Sequence, residues 1–318
     1  MLVYVVRRVA LGVSMVWAIS FGAFCAFGLS FDPTYPIILA GRHSPQRVAL
    51  QHEYHLTDPI LLRYLLWLKG LFTHGFGTTV MNVRGFGQGG EIGPALWSAA
   101  AVTVQLIAVS LVLVVVMSVG IGIVSARRPG SLVDGLLRLL AYGAWSMPAF
   151  LVGVLLARWL GPTGWFYDGR PGGGLVRWVR TMTLPAATLS LGLVGVYSRY
   201  IRSAMLVSLR QPYATVARAK GLPERRVVVR HALRNSLIPF VSVLSLEFGA
   251  VVGASLAVDY VFNMGGLAWL FFQSLGQADP FAMTAILVVI GGTVAVFMLV
   301  ADLVLGWLDP RARGAASA

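Results

Sequence analysis

From Ala99 to Ser125 the chain carries no charged side chain, and that run admits few folds. In water it would need burial on every face. In a bilayer it is a helix, because about 20 apolar residues cross the hydrocarbon core with every backbone group bonded internally. Comparable runs recur at about Val9–Ser30, Leu132–Leu160, Thr181–Leu206, Leu237–Phe262 and Ala282–Leu308. With 57% hydrophobic and 12% charged residues and a mean hydropathy of +0.78, nothing suggests a separate soluble domain. The expected fold class is all-α, a polytopic membrane protein with six transmembrane helices.

Positive charge orients these runs, because Lys and Arg collect in cytoplasmic loops. Arg7 and Arg8 precede the first run, Arg127 and Arg128 follow the second, and the loop between runs four and five is strongly basic. The loop between runs five and six has no Lys or Arg, and the tail carries Arg311 and Arg313. Both termini are therefore expected in the cytoplasm, although Arg170, Arg177 and Arg180 fall on the expected outside. The first run is too long for a secretory signal peptide and is followed by no small-x-small cleavage site. Its Cys25 is the only cysteine, so no internal disulfide forms. A net charge of +13 would raise nucleic acid as a partner of a soluble protein. Here the charges flank apolar runs, and no nucleic-acid partner is expected. The expected organisation is a cytoplasmic start and first helix at 1–30, an extracytoplasmic loop at 31–98, a core at 99–308, and a cytoplasmic tail at 309–318.

Within 31–98, the stretch from Thr57 to Phe72 reads as a short amphipathic helix with Asp58 as N-cap and Pro59 in its first turn. It is too short to span, and Arg63 and Lys69 interrupt its apolar face, so it lies at the interface or packs on other helices. His52, His55 and Asp58 share helical spacing, but a solvated loop surface outweighs a metal site there. The glycine-rich Arg84–Gly93 follows no strand and reads as a flexible loop rather than a nucleotide cradle.

No catalytic residue is expected. A phosphate-binding loop needs a Gly-Lys pair, yet Lys69 follows Leu68 and Lys220 follows Ala219; HExxH and GxSxG are also absent. Pro148 in the Ser146–Phe150 stretch should kink the third run. Glu247 stands near the middle of the fifth, where an ionisable group is costly and faces protein or a wet cavity. Ser245, Gly249 and Gly253 recur every four residues as a small-residue face for close helix packing, with Glu247 pointing away towards a possible substrate route. A protonated or internally paired structural glutamate is the plainer alternative.

The longest basic, helix-compatible stretch is Tyr213–Phe240. It divides into a helical piece at Tyr213–Lys220, a break at Gly221, and a second piece starting at Pro223. Arg226, Arg230 and Arg234 repeat every four residues, and like charges at that spacing need an acidic counterpart. The anionic inner leaflet is one candidate; an acidic groove on a partner is the other.

Ala-Arg-Ala-Lys-Gly-Leu-Pro-Glu-Arg-Arg, followed by Arg-His-Ala-Leu-Arg-Asn-Ser-Leu-Ile-Pro, resembles the coupling loop of ABC importer permeases. The dipeptide/oligopeptide/nickel branch, first permease of the pair, is the most similar. The Val-Arg-Arg-Val start, the Leu56–Leu68 stretch, Ser146–Phe150 and Leu308–Arg313 agree with it. The chain departs from the general importer motif by carrying Thr215, Val216 and Ala217 where Glu-Ala-Ala is usual. This resemblance implies an importer-type ABC permease fold. Its coupling loop, about 207–236, would dock Thr215, Ala217, Arg218, Ala219, Lys220, Gly221, Leu222, Glu224, Arg225 and Arg226 into an ATPase. It further implies a sister permease subunit, one fused or two separate ABC ATPase subunits holding ATP and Mg, and an extracytoplasmic solute-binding protein. No cofactor or metal is expected in the chain itself. Peptides are the expected substrate, with nickel, haem or another small solute as the alternative. The location would be the plasma (inner) membrane of a prokaryote. An ion-coupled secondary transporter would be expected to show internal repeats and paired intramembrane carboxylates, and neither is evident. A membrane scaffold would use the basic loop for lipid contact alone.

Overall fold

The computed structural model describes residues 2–32, 34, 45–73, 75–79, 91–166 and 169–308. Among them regular structure is helical, with one isolated antiparallel bridge between Thr78 and Glu91. The long helices are α1 (Leu2–Ser30), α4 (Ile92–Arg127), α7 (Leu175–Leu209) and α13 (Pro280–Leu308). Around them run α2 (Pro45–Glu53), α3 (Ile60–Thr73), α5 (Leu132–Ser146), α6 (Ala149–Leu160), α8 (Pro212–Ala219), α9 (Glu224–Arg226), a π-helical segment (Val227–Ala232), α10 (Leu233–Leu246), α11 (Phe248–Val261) and α12 (Leu267–Gly276).

Among the described residues five helical stretches are long and apolar enough to cross a membrane, and six if the bent pair α5–α6 counts as one span. The six-helix expectation holds on that count. The kink expected in the third run is present, as a bend of 100° between α5 and α6. Pro148 has no N–H to continue α5 and holds Met147 extended, at φ −98° and ψ 130°. The fifth run is also not one helix. A span-length stretch covers Glu224–Leu244, and the chain then breaks at Glu247 with φ −90° and ψ 0° before the 14-residue α11. Its basic first turns, expected as a helical piece within the loop, continue into the span as one helical stretch with their arginines exposed to solvent. The fourth span begins at Leu175, which puts Arg177 and Arg180 inside a helix and not in the preceding loop.

The chain divides into two compact units. The first comprises residues 1–5, 105–262 and 297–318. Its core gathers Val194, Tyr197, Ile201 and Met205 of α7 with Val228, Ala232, Phe240 and Leu244. α5 lies so close to α7 that a Cβ at Gly195 would clash with the Ala141 carbonyl. Asp134, 1% exposed, locks that pair of helices. Arg202 grips its carboxylate with Nε and Nη2, both at 2.8 Å, while Ser125 Oγ and the Gly130 amide also donate to it. Asp134's own amide bonds the N-cap Ser131 Oγ at 3.2 Å.

The second unit comprises residues 6–104 and 263–296. There α3 docks on α1 through aromatic side chains: Phe24 meets Tyr64, Trp67 and Phe281 at ring separations of 5.5, 5.7 and 6.0 Å. Ser20 Oγ and Tyr64 Oη are 2.8 Å apart. The short helix expected here is present, but Asp58 does not cap it; its carboxylate meets His55 Nδ1 at 2.9 Å. Asp279 caps α13, accepting from the amides of Phe281 and Ala282 at 3.0 and 3.1 Å. The stretch after Asn263, expected as loop, holds α12, whose Leu267 amide donates to Thr103 Oγ1 at 3.0 Å.

Candidate functional site

The basic stretch folds as expected around Gly221. The Gly221 amide donates to the Arg218 carbonyl at 2.9 Å and the Leu222 amide to that of Ala217 at 3.2 Å. This pair of bonds closes α8 in a Schellman motif, which requires a left-handed residue after the C-cap. Gly221 supplies it with φ +76°. The apolar contact that accompanies such caps is also present, because Leu222 packs on the buried cluster of Ala214, Ala217 and Val227.

That cluster sets one expected site residue apart from its neighbours. Ala217 is 5% exposed and faces the turn's own core, where it shapes the loop. Leu222 is half-buried in the same place. Thr215, Ala219, Lys220, Gly221, Arg225 and Arg226 are exposed and stay together on the outside. Arg218 and Glu224 are exposed too but engage each other, with Nε–Oε2 at 3.1 Å and Nη2–Oε1 at 2.9 Å. Arg218 Nη1 also reaches the Leu209 carbonyl at 3.2 Å. The carboxylate holds the Arg218 guanidinium above its ordinary value. Exposed pairs of this kind contribute about 0–1 kcal/mol, so Arg218→Ala should leave the thermal stability of the purified protein nearly unchanged. Two surface residues escaped sequence reasoning, Val216 at 53% exposure and Tyr213 at 37%. Nothing in their type marks them; only the fold turns them outward.

Past the turn, Val227–Ala232 is π-helical, with the Leu233 amide reaching the Val228 carbonyl. A π segment widens the turn and resets the helical register, and such segments frequently mark functional sites. Here Val227, Val228 and Ala232 point inward while Arg226, Arg230 and Arg234 remain exposed. None of these three arginines has an acidic partner among the described residues.

A cavity of about 790 Å³ lies in the same unit. Glu247 lines it, at the break before α11, and Ala250 and Ala254 continue that wall. Arg199, Tyr197 and Tyr142 also line it. The Arg199 guanidinium sits 4.5 Å from the Tyr142 ring centre and 5.4 Å from that of Trp145, and its Nε donates to the Gly195 carbonyl at 3.1 Å. Tyr197 is buried, and its hydroxyl has no partner among the described residues. Glu247 and Arg199 form no ion pair with each other. The cavity thus offers a carboxylate and a fixed guanidinium within aromatic walls.

Among the described residues nothing packs against the glycines of the small-residue face. A Cβ on Gly249 or Gly253 would meet nothing within 4 Å. The break at Glu247 resets the register, and α11 buries Phe248, Val251, Val252, Ser255 and Val258. Ser245 is helical, but its side chain lies outside the described residues, as do most of the glycine-rich Arg84–Gly93 and the tail arginines. His52 and His55 are exposed, and among the described residues no three ligating side chains gather as a metal site.

Comparison with known proteins bears on the chain as a whole. The model of a family described as binding-protein-dependent transport system inner membrane component matches residues 118–314. An oligopeptide transport system permease protein, AppB of Bacillus subtilis, is 29% identical over 98% of this chain and 99% of its own length. A putative peptide permease protein of Brucella suis is 32% identical over 98% and 99%. The oligopeptide transport system permease protein OppB of Mycobacterium tuberculosis is 31% identical over 98% of each.

Proposed function

The chain belongs to the binding-protein-dependent transport system inner membrane component family, and on that premise we propose that it is a permease subunit of an ATP-driven ABC importer of dipeptides and oligopeptides. It works in a prokaryotic plasma (inner) membrane with both termini in the cytoplasm. A sister permease completes the route, and the open face at Gly249 and Gly253 admits close approach of a neighbouring helix. An extracytoplasmic solute-binding protein delivers the peptide. One fused or two separate ATPase subunits bind ATP and Mg and grip the exposed side of the turn at Thr215, Ala219, Lys220, Gly221, Arg225 and Arg226. Closure of the ATPases draws the turns together and opens the route outward.

The observation that carries this reading is the solvent-exposed basic turn closed by its cap at Gly221. A short element held by its own hydrogen bonds can pass on an outside push, and a chain with no phosphate-binding loop needs such an entry point for energy. Peptide, rather than nickel or haem, is favoured because relatives matching nearly end to end are named peptide permeases. The test is ATP hydrolysis by the purified complex with its binding protein. Short peptides should stimulate it; stimulation by nickel or haem alone overturns the peptide assignment.

Glu247 and Arg199 place opposite charges on one cavity, which suits a zwitterionic substrate. We expect Glu247→Gln to lower peptide uptake several-fold by removing the partner of the peptide ammonium. Charge-assisted hydrogen bonds contribute about 1.5–3 kcal/mol, so a tenfold loss is within reach. Unchanged uptake across several peptides would remove Glu247 from the route.

A further inference from the structure

The second unit carries a cavity of its own, about 860 Å³, between α3, the 75–78 segment, the start of α4 and Phe281. That volume is ample for a small ligand. Its walls are aromatic, with Tyr54, Trp67, Phe76, Trp97 and Phe281 among them. Two of its side chains stand in an uncommon state. Arg63 and Trp67, one turn apart on α3, are each only 9% exposed, and among the described residues Arg63 Nε and Trp67 Nε1 have no acceptor. A buried donor left without an acceptor costs about 1–3 kcal/mol. Asp32 and Asp58 act on Arg63 only through space and do not make up for its burial.

We propose that this cavity is a docking site for the C-terminal carboxylate of a short peptide, separate from the Glu247 cavity. The inference rests on the peptide-importer reading above. A carboxylate supplies the acceptors that the Arg63 and Trp67 N–H groups lack, and a guanidinium matches its planar geometry. The aromatic walls receive apolar side chains without selecting one of them. Glu91, exposed on the same cavity, favours the ammonium end and disfavours an anionic lipid headgroup. Charge is therefore arranged for a zwitterion, not for a simple anion.

The test uses the assembled permease–ATPase complex in nanodiscs without its binding protein, with radiolabelled trileucine and trileucine amide as probes. Wild type should bind the free acid on the order of tenfold more tightly than the amide. Trp67→Phe keeps the ring and removes the N–H; it and Arg63→Gln should abolish most of that preference while changing amide binding little. An unchanged acid-to-amide ratio in Trp67→Phe overturns the proposal even if Arg63→Gln fails to fold. It is equally overturned if the variants lose only bound phosphatidylglycerol and keep the ratio. ATP hydrolysis by wild type with its binding protein separates the two readings. Peptide stimulation with an unchanged ratio rejects the docking site alone, whereas no stimulation rejects the importer reading beneath it.

Discussion

Gly221→Pro is expected to abolish peptide-stimulated ATP hydrolysis while the chain still inserts and assembles. Proline fixes φ near −65°, whereas Gly221 sits at +76°, and proline also removes the amide that bonds the Arg218 carbonyl. It further disfavours the near-helical conformation of Lys220, at φ −79° and ψ 7°. The α8 cap then opens, and Leu222 leaves Ala214, Ala217 and Val227. The membrane helices do not depend on this turn, so the loss should be one of coupling. A graded series separates turn geometry from general damage. Asparagine visits the left-handed region, so Gly221→Asn should keep most of the stimulation. Gly221→Ala carries a penalty of about 1–2 kcal/mol and should keep only part. Normal stimulation in Gly221→Pro, measured in proteoliposomes with the binding protein present, would sink the assignment of this turn.

Asp134→Ala should have the largest effect on stability. The change leaves Arg202 half-buried with its bidentate partner gone and removes the acceptor of Ser125 Oγ and the Gly130 amide. Breaking a buried pair by removing one member costs about 3–5 kcal/mol, because the other charge stays uncompensated. Arg202→Ala should cost less than Asp134→Ala, because Arg138 Nε, 3.7 Å away, Ser125 Oγ and the Gly130 amide stay on the carboxylate, which is 1% exposed. Pairing Asp134→Leu with Arg202→Met should recover a large part of the loss, because no buried charge then remains. The check is the midpoint of thermal unfolding of the purified protein in detergent. A single variant within about 0.5 kcal/mol of wild type would show that the pair does not hold α5 to α7.

Much of the fold was legible in the apolar runs, and most of the turn could be read from Gly221 and Pro223. Charge misled at two places. It put the start of the fifth span at Leu237, although the helical piece expected from Pro223 runs on into it as one stretch, Glu224–Leu244. It also left Arg177 and Arg180 outside a span that begins at Leu175. Nothing in the sequence around Asp134 pointed to Arg202, which lies 68 residues along the chain.

Local composition by itself determined the bilayer as solvent, the approximate spans, the break at Gly221 and the absence of an ATP site of the phosphate-loop type. These follow from hydrophobic length and backbone chemistry, which act over a few residues. Only tertiary structure decided which residues of that stretch face outward. It turned Ala217 into a small core and Val216 into solvent, set Glu247 and Arg199 on one cavity, and left Arg63 and Trp67 with N–H groups seeking an acceptor. Those outcomes depend on contacts between distant segments, and burial, unlike hydropathy, belongs to the folded arrangement.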